Sequence, residues 1–166
     1  MIFVTVGTHE QQFDRLIKKV DELKQDGLVQ EEIIIQTGFS TYKPQHCRWS
    51  KLIPYREMIE NVQNARIVIT HGGPASFIMP LQMGKVPIVV PRQQKFDEHI
   101  NDHQLEFARE VEKRQKNIIV VEDIGQLETS ICNYDALKDS LNACAKTNNA
   151  QFNKALEKLV DELFAY

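Results

Sequence analysis

The chain has 166 residues, 42% hydrophobic and 26% charged, with 20 Lys+Arg against 23 Asp+Glu and a formal net charge of −3. That apolar fraction excludes a disordered tail, three cysteines exclude a disulfide scaffold, and the acidic balance argues against a nucleic-acid partner. No apolar run approaches the ~20 residues of a membrane span, no charged region precedes the strand-like residues 1–4, and Cys47, Cys132 and Cys144 lack metal or redox spacing. The expectation is one cytoplasmic domain over residues 1–166, with a core at 1–134 and a C-terminal helical extension at 135–166.

Residues 2–6 open the chain as a continuous apolar run, and further runs follow at 33–35, 67–69, 88–90 and 118–121. They are rich in Ile and Val and lack period-two alternation. Such runs predict strands of a parallel sheet covered on both faces. After the first run, Phe13, Leu16, Ile17, Val20 and Leu23 recur at helical steps. Residues 55–65 and 75–83 predict shorter helices, and Leu105, Ala108 and Val111 mark another. Pro44, Pro54, Pro87 and Pro91 fall at the joins. Alternating strands and helices predict an α/β fold, a Rossmann-like, doubly wound parallel sheet. Beyond Tyr134 the strand pattern stops. Residues 137–149 are polar and read as a short helix with a loop, and 151–164 as an amphipathic helix with Phe152, Leu156, Leu159, Val160 and Leu163 on one face. That face packs on the parent domain or meets a partner; Phe164 and Tyr166 beyond the stripe favour the partner.

Ligands of open α/β sheets bind at the carboxyl ends of the strands, so three loops carry the candidate chemistry. The first contains Gly7, Thr8 and His9; the second runs Thr70, His71, Gly72, Gly73, Pro74, Ala75, Ser76; the third runs from Pro91 and Arg92 through His99 to Asp102, His103 and Gln104. Gly72 and Gly73 let backbone approach a ligand closely, and Pro74 suits the first turn of a helix whose free N–H groups form an anion site. A tight turn with no ligand has the same glycines. The loop is neither a Walker loop nor the dinucleotide fingerprint. His99 and His103, four apart near Asp97, Glu98 and Asp102, suit either a metal pair on one helix face or helix caps; no third ligand has motif spacing, so no metal is expected. Arg92 pairs either with a phosphate or with Asp97 or Glu98. His9 has no nucleophile motif beside it, which leaves a catalytic triad unsupported.

Together the three loops resemble the C-terminal, donor-binding domain of glycosyltransferase family 28, a family with the GT-B fold. The likeness runs from Ile2 to about Glu112 and is most specific at residues 3–8 with Phe13 and Asp14, at residues 69–76, and at residues 102–106. It is similar above all to stand-alone versions of that domain. These are the catalytic subunits of two-component transferases in bacterial capsule and exopolysaccharide assembly and in dolichol-linked N-acetylglucosamine transfer. The resemblance implies a UDP-sugar donor and no cofactor. It places Gly7 and Thr8 near the diphosphate, the Pro54–Tyr55 turn ahead of Met58 at the uracil, His71 to Ser76 around the diphosphate, and Asp102, His103 and Gln104 at the donor sugar. Two-domain relatives carry a ribose-gripping glutamate where this chain has Met79, followed by Pro80. The resemblance further implies a membrane-anchored partner subunit that binds a lipid-linked saccharide acceptor, and a peripheral place at the inner membrane face through it. The partner then supplies the general base, with His9 as the candidate within this chain and His103 beside it. The alternative is a non-catalytic accessory subunit that stabilises a partner glycosyltransferase.

Overall fold

A computed structural model describes residues 1–141, so the expected helix at 151–164 and most of the polar stretch at 137–149 lie outside the described residues. Six strands form one sheet: β1 (Ile2–Thr5), β2 (Ile33–Gln36), β3 (Arg48–Ser50), β4 (Ile67–His71), β5 (Ile88–Val90) and β6 (Ile119–Val120). All pairings are parallel, in the order β3-β2-β1-β4-β5-β6. That is the doubly wound order, with its reversal between β1 and β4. Six helices accompany the strands: α1 (Asp14–Gln25), α2 (Tyr55–Asn64), α3 (Pro74–Gln82), α4 (His103–Gln115), α5 (Leu127–Cys132) and α6 (Tyr134–Asp139).

The apolar runs become strands because both of their faces are buried. Ile2, Val4 and Val6 point to the layer where Leu16, Ile17, Val20 and Leu23 of α1 meet Leu127, Ile131 and Tyr134. Phe3 and Val68 point the other way, onto Val62 of α2, while Val89 packs with Phe77, Leu81 and Ala108 of α3 and α4. The sequence pattern expects four of these helices and five strands; β3, α5 and α6 are additions, α6 overlapping only the start of the polar stretch at 137–149. β3 escapes the apolar criterion because it is an exposed edge, Arg-Trp-Ser, paired only with β2. His99 precedes α4 rather than sharing a face of it with His103, so the one-helix pairing of the two is corrected.

Two buried polar clusters lock the loops to this frame. Asp21 of α1 is 1% exposed, and its carboxylate accepts from Tyr42 Oη at 2.8 Å, Gln45 N at 2.9 Å and His46 N at 2.8 Å. Burial pushes the Asp21 carboxyl up, but these hydrogen bonds outweigh it and hold the group below its ordinary 3.8.

The second cluster is built on Arg92, which is 0% exposed. Its Nη1 donates to the carbonyls of Gln11 (2.9 Å), Gln12 (2.9 Å) and Glu98 (3.1 Å), and its Nη2 to Val6 O at 2.9 Å. The loop after β1 is thereby tied to the loop after β5. Glu98, fully buried too, turns its carboxylate to Arg15 at 2.8 and 2.9 Å and to Gln93 N at 3.1 Å. The option of an Arg92 ion pair with Asp97 or Glu98 is thus corrected. Its Nη1 and Nη2 donate to main-chain carbonyls, its Nε is buried without a partner, and the ion pair of the Glu98 carboxylate is with Arg15.

Replacing Asp21 with alanine is expected to destabilise the fold by roughly 3 kcal/mol, because three buried donors lose their acceptor. A depressed carboxyl stabilises above its unfolded pKa and loses that contribution as pH falls through the folded one. The gap between wild type and Asp21→Ala in urea denaturation should therefore narrow below about pH 4. Arg92→Leu should cost about 3–5 kcal/mol in the same assay, since it strands four main-chain carbonyls in the interior. A loss under 1 kcal/mol would show that the loops are held by something else.

Candidate functional site

At the sheet's reversal point the chains leaving β1 and β4 part company, and a cleft of about 600 Å³ opens above their carboxyl ends. Its lining joins Gly7, Thr8 and His9 with His71 and residues 73–76, and with Tyr55 and Met58 across the mouth. An adjoining hollow of about 580 Å³ is lined by Gly72, Gly73, Pro74, His99, His103 and Gln104. The Gly73–Pro74 turn is the wall common to both. A third hollow, of about 610 Å³, holds Arg66, Lys85 and Lys138 near the opposite strand ends, where two of those cations are already engaged: Arg66 with Glu31 and Asp135, Lys85 with Ala65 O.

The centre of the cleft is His71, the last residue of β4, clasped between two glycines. Gly7 has φ +74°, and a Cβ there would lie 2.5 Å from His71 Nε2. A Cβ on Gly73 would overlap His71 Cε1 and sit 2.9 Å from Nδ1. Gly72 is closed off as well, by Gln104 Cβ at 2.9 Å and Pro91 Cβ at 3.1 Å. The two glycines of the second loop therefore admit neighbouring protein groups. Gly73 has φ −72°, an ordinary value, so space rather than backbone freedom requires glycine there. Gly73 N–H donates to His71 Nδ1 at 3.0 Å, which leaves the ring proton on Nε2. Burial, reinforced by the Arg92 charge, pushes His71 down to about 4, so the ring is neutral at physiological pH.

Pro74 occupies the first turn of α3 and has no N–H to satisfy, as the sequence predicts. Ser76 Oγ lies 2.8 Å from His71 O and 2.6 Å from Gly73 O, so its hydroxyl braces the turn. The helix start and its dipole face the cleft and favour an anion. Below them runs a polar row in register across three strands: Gln36, Thr5 and Thr70. All three are buried, and Gln36 and Thr5 line the cleft floor. Thr5 Oγ1 accepts from Gly7 N at 3.2 Å, and Gln36 Nε2 donates to Gly7 O at 3.4 Å. The signal for this row is partly in the sequence: Gln36 and Thr70 directly follow the apolar runs at 33–35 and 67–69, while Thr5 is the one polar residue within the run at 2–6.

The third loop distributes its residues differently. Asp102 Oδ1 accepts from Gln94 N at 2.8 Å, so it shapes the loop and lines neither hollow. His103 is 78% exposed, with Nδ1 3.6 Å from Glu106. Gln104 stands beside Gly72, and its Oε1 accepts from Arg92 N at 3.4 Å. His99 instead reaches back to His9, ring centroids 5.0 Å apart, a contact with no sequence signal because the two lie on separate loops. Among the described residues no group of three or more metal-ligating side chains comes together, and no helix is long and apolar enough to cross a membrane.

Comparison with known proteins agrees with this geometry. The model of the glycosyltransferase family 28 C-terminal domain matches residues 1–161. The human UDP-N-acetylglucosamine transferase subunit ALG13 is 35% identical over 121 residues, and the mouse protein of the same name 32% identical over 120. These alignments cover 68% and 67% of the chain, which spans about a tenth of the length of these curated relatives. Among solved structures, the fold is similar to the glycosyltransferase SnogD from Streptomyces nogalater (TM-score 0.58, 20% identity, 82% of this chain and 35% of that one). It is also similar to MurG of Acinetobacter baumannii (TM-score 0.57, 16% identity, 92% of this chain and 48% of that one). The doubly wound sheet, its cleft at the reversal point and a family match over nearly the whole sequence agree: the chain belongs to the glycosyltransferase family 28 C-terminal domain family.

Proposed function

We propose that this chain is the donor-binding, catalytic half of a two-component glycosyltransferase. In this reading it holds a UDP-sugar while a separate, membrane-anchored subunit presents a lipid-linked acceptor for hexose transfer in capsular or exopolysaccharide assembly. The observation that carries the reading is the Gly7–His71–Gly73 clasp at the reversal of the sheet, where the start of α3 opens into the cleft. Family membership and the printed names of the relatives, subunits of a UDP-N-acetylglucosamine transferase, support it. The whole chain then acts as one GT-B half-domain.

In this reading the diphosphate lies over the start of α3, beside residues 73–76, with Gly7 and Thr8 across from it. The base enters the apolar mouth formed by Leu52, Ile53, Tyr55 and Met58. Gln104 and His103, lining the adjoining hollow, are placed for the sugar. Met79 lines the cleft on α3 and offers a ribose only a thioether, so hydroxyl contacts fall to other groups. Departure of UDP develops negative charge on the diphosphate. Fixed helix N–H groups and the N–H of neutral His71 stabilise that charge without reorganising. The acceptor and its general base come from the partner, and positioning by the partner accounts for much of the rate.

Titration calorimetry of the full chain with UDP-hexoses should show weak binding, equal with and without EDTA, and little turnover until the partner is added. Failure of every UDP-sugar to bind, or strict metal dependence, would overturn the reading. Turnover by the partner alone would assign this chain the accessory role. Gly73→Val should abolish UDP binding with the circular dichroism spectrum intact, because its side chain evicts the His71 ring from its place against Gly7 and Gly73. Wild-type UDP affinity in that variant would place the diphosphate elsewhere.

A further inference from the structure

Among the described residues that line the cleft and the adjoining hollow there is no lysine and no arginine. The hollow contributes Glu106 and Glu110 instead. Arg92, the nearest buried cation, spends Nη1 and Nη2 on carbonyls, and its Nε is buried without a partner. His71 is held neutral by burial. A diphosphate bound here thus finds no resident cationic side chain, only dipoles and the remaining histidines.

Two of those histidines meet at the rim. His9, on the loop after β1, lines the cleft; His99, on the loop after β5, lines the hollow; and their rings are 5.0 Å apart with a 48° tilt. Each ring is anchored to its own loop through Nδ1. His9 Nδ1 accepts from Gln11 N at 3.2 Å, while His99 Nδ1 lies 3.2 Å from Asn101 O and 3.4 Å from Asn101 N. In both rings Nε2 is the nitrogen left for a ligand. We propose that His9 and His99 act as one anion-binding element that takes up a single proton from solvent when a nucleotide diphosphate enters the cleft. This rests on the nucleotide-sugar reading above and adds to it the source of the countercharge.

The surroundings explain why the proton arrives with the ligand. Burial, then the positive charge of Arg92 and then the neighbouring His99 hold His9 below its ordinary value of 6.5, with Glu10 acting in the opposite sense. Glu98, behind the pair, is neutralised by Arg15. His71 lies close enough to feel both rings, and His103 and Glu106 share the hollow with His99. Two imidazolium rings at this separation repel each other beside Arg92, which limits the pair to one proton. A diphosphate offsets the field of Arg92, raises the affinity of the pair for that proton and receives a charge-assisted hydrogen bond in return.

The test is calorimetry on the full chain with UDP-N-acetylglucosamine and UDP-glucose, whose diphosphate diesters carry no proton near neutrality, so any proton taken up is the protein's. Enthalpies measured in buffers of different ionisation heat should report uptake approaching one proton. Affinity should rise towards tenfold per unit as pH falls from about 8 to 6. His9→Asn and His99→Asn should each abolish the uptake and flatten the pH profile. His46→Gln, at the ring beside Asp21, should keep both. Nucleotide-sugar binding without proton uptake, or uptake that survives both variants, overturns the pair and leaves the nucleotide reading standing. Absence of UDP-sugar binding throughout that pH range overturns both.

Discussion

A guanidinium with no access to water organises the ligand end of this molecule. Removing Arg92 from solvent is costly, and burial pushes its pKa down to about 10. The cost is offset by carbonyls from two loops that share no secondary structure, at Val6, Gln11, Gln12 and Glu98, and by the Phe13 ring 4.8 Å away. Because these acceptors are main-chain atoms, the interaction fixes the path of the backbone whatever side chains the loop carries. It also leaves a positive field behind the cleft. Arg15 and Glu98 neutralise each other, so the charge of Arg92 is felt by His71 and His9, which it helps to keep unprotonated. Arg92 thereby influences the site although it lines neither the cleft nor the adjoining hollow.

The clasp around His71 depends on that geometry. Gly7 must follow β1 with φ +74° to let the ring lie against its Cα, and the loop that begins at Gly7 is the one Arg92 holds. Gln36 and Thr5 approach the Gly7 peptide from below, through its O and N respectively. The two peptide groups flanking the Gly7 Cα are thus gripped from the floor, and their neighbours from behind. Little motion is left to the turn where an anion would dock, and such preorganisation makes dipoles effective in stabilising charge.

Much of the fold is legible in the sequence because buried parallel strands have a distinctive composition. Ile33, Ile34 and Ile35 can sit side by side only where both faces are covered, and here α1 packs one face while the α2 and α3 layer packs the other. β3 has no such signature, since an edge strand exposed along its length is free to be polar. The glycine loop is equally legible as a turn, but the reason for its glycines is not: their Cβ positions are filled by His71, Gln104 and Pro91, whose closeness only the folded chain sets. Arg92 shows the same limit. Its identity and place after a strand are visible, whereas the four carbonyls that engage it come from both ends of the loop after β1 and from Glu98. The His9–His99 contact is a property of the strand order, which brings the ends of β1 and β5 to either side of β4.

The two borders of the sheet bear on colloidal behaviour. Its interior strands β1, β2, β4 and β5 are composed largely of Ile and Val and would template intermolecular pairing if left uncovered. β6 is two residues long, and β3 is three residues long, exposed and charged, with Arg48 paired to Glu32 at 3.0 Å. Strands this short offer few unsatisfied N–H and C=O groups to another molecule, and the ion pair at Arg48 makes apolar zippering against that border unfavourable. The sequence that looks least like a strand therefore shields the segments that look most like one from self-association.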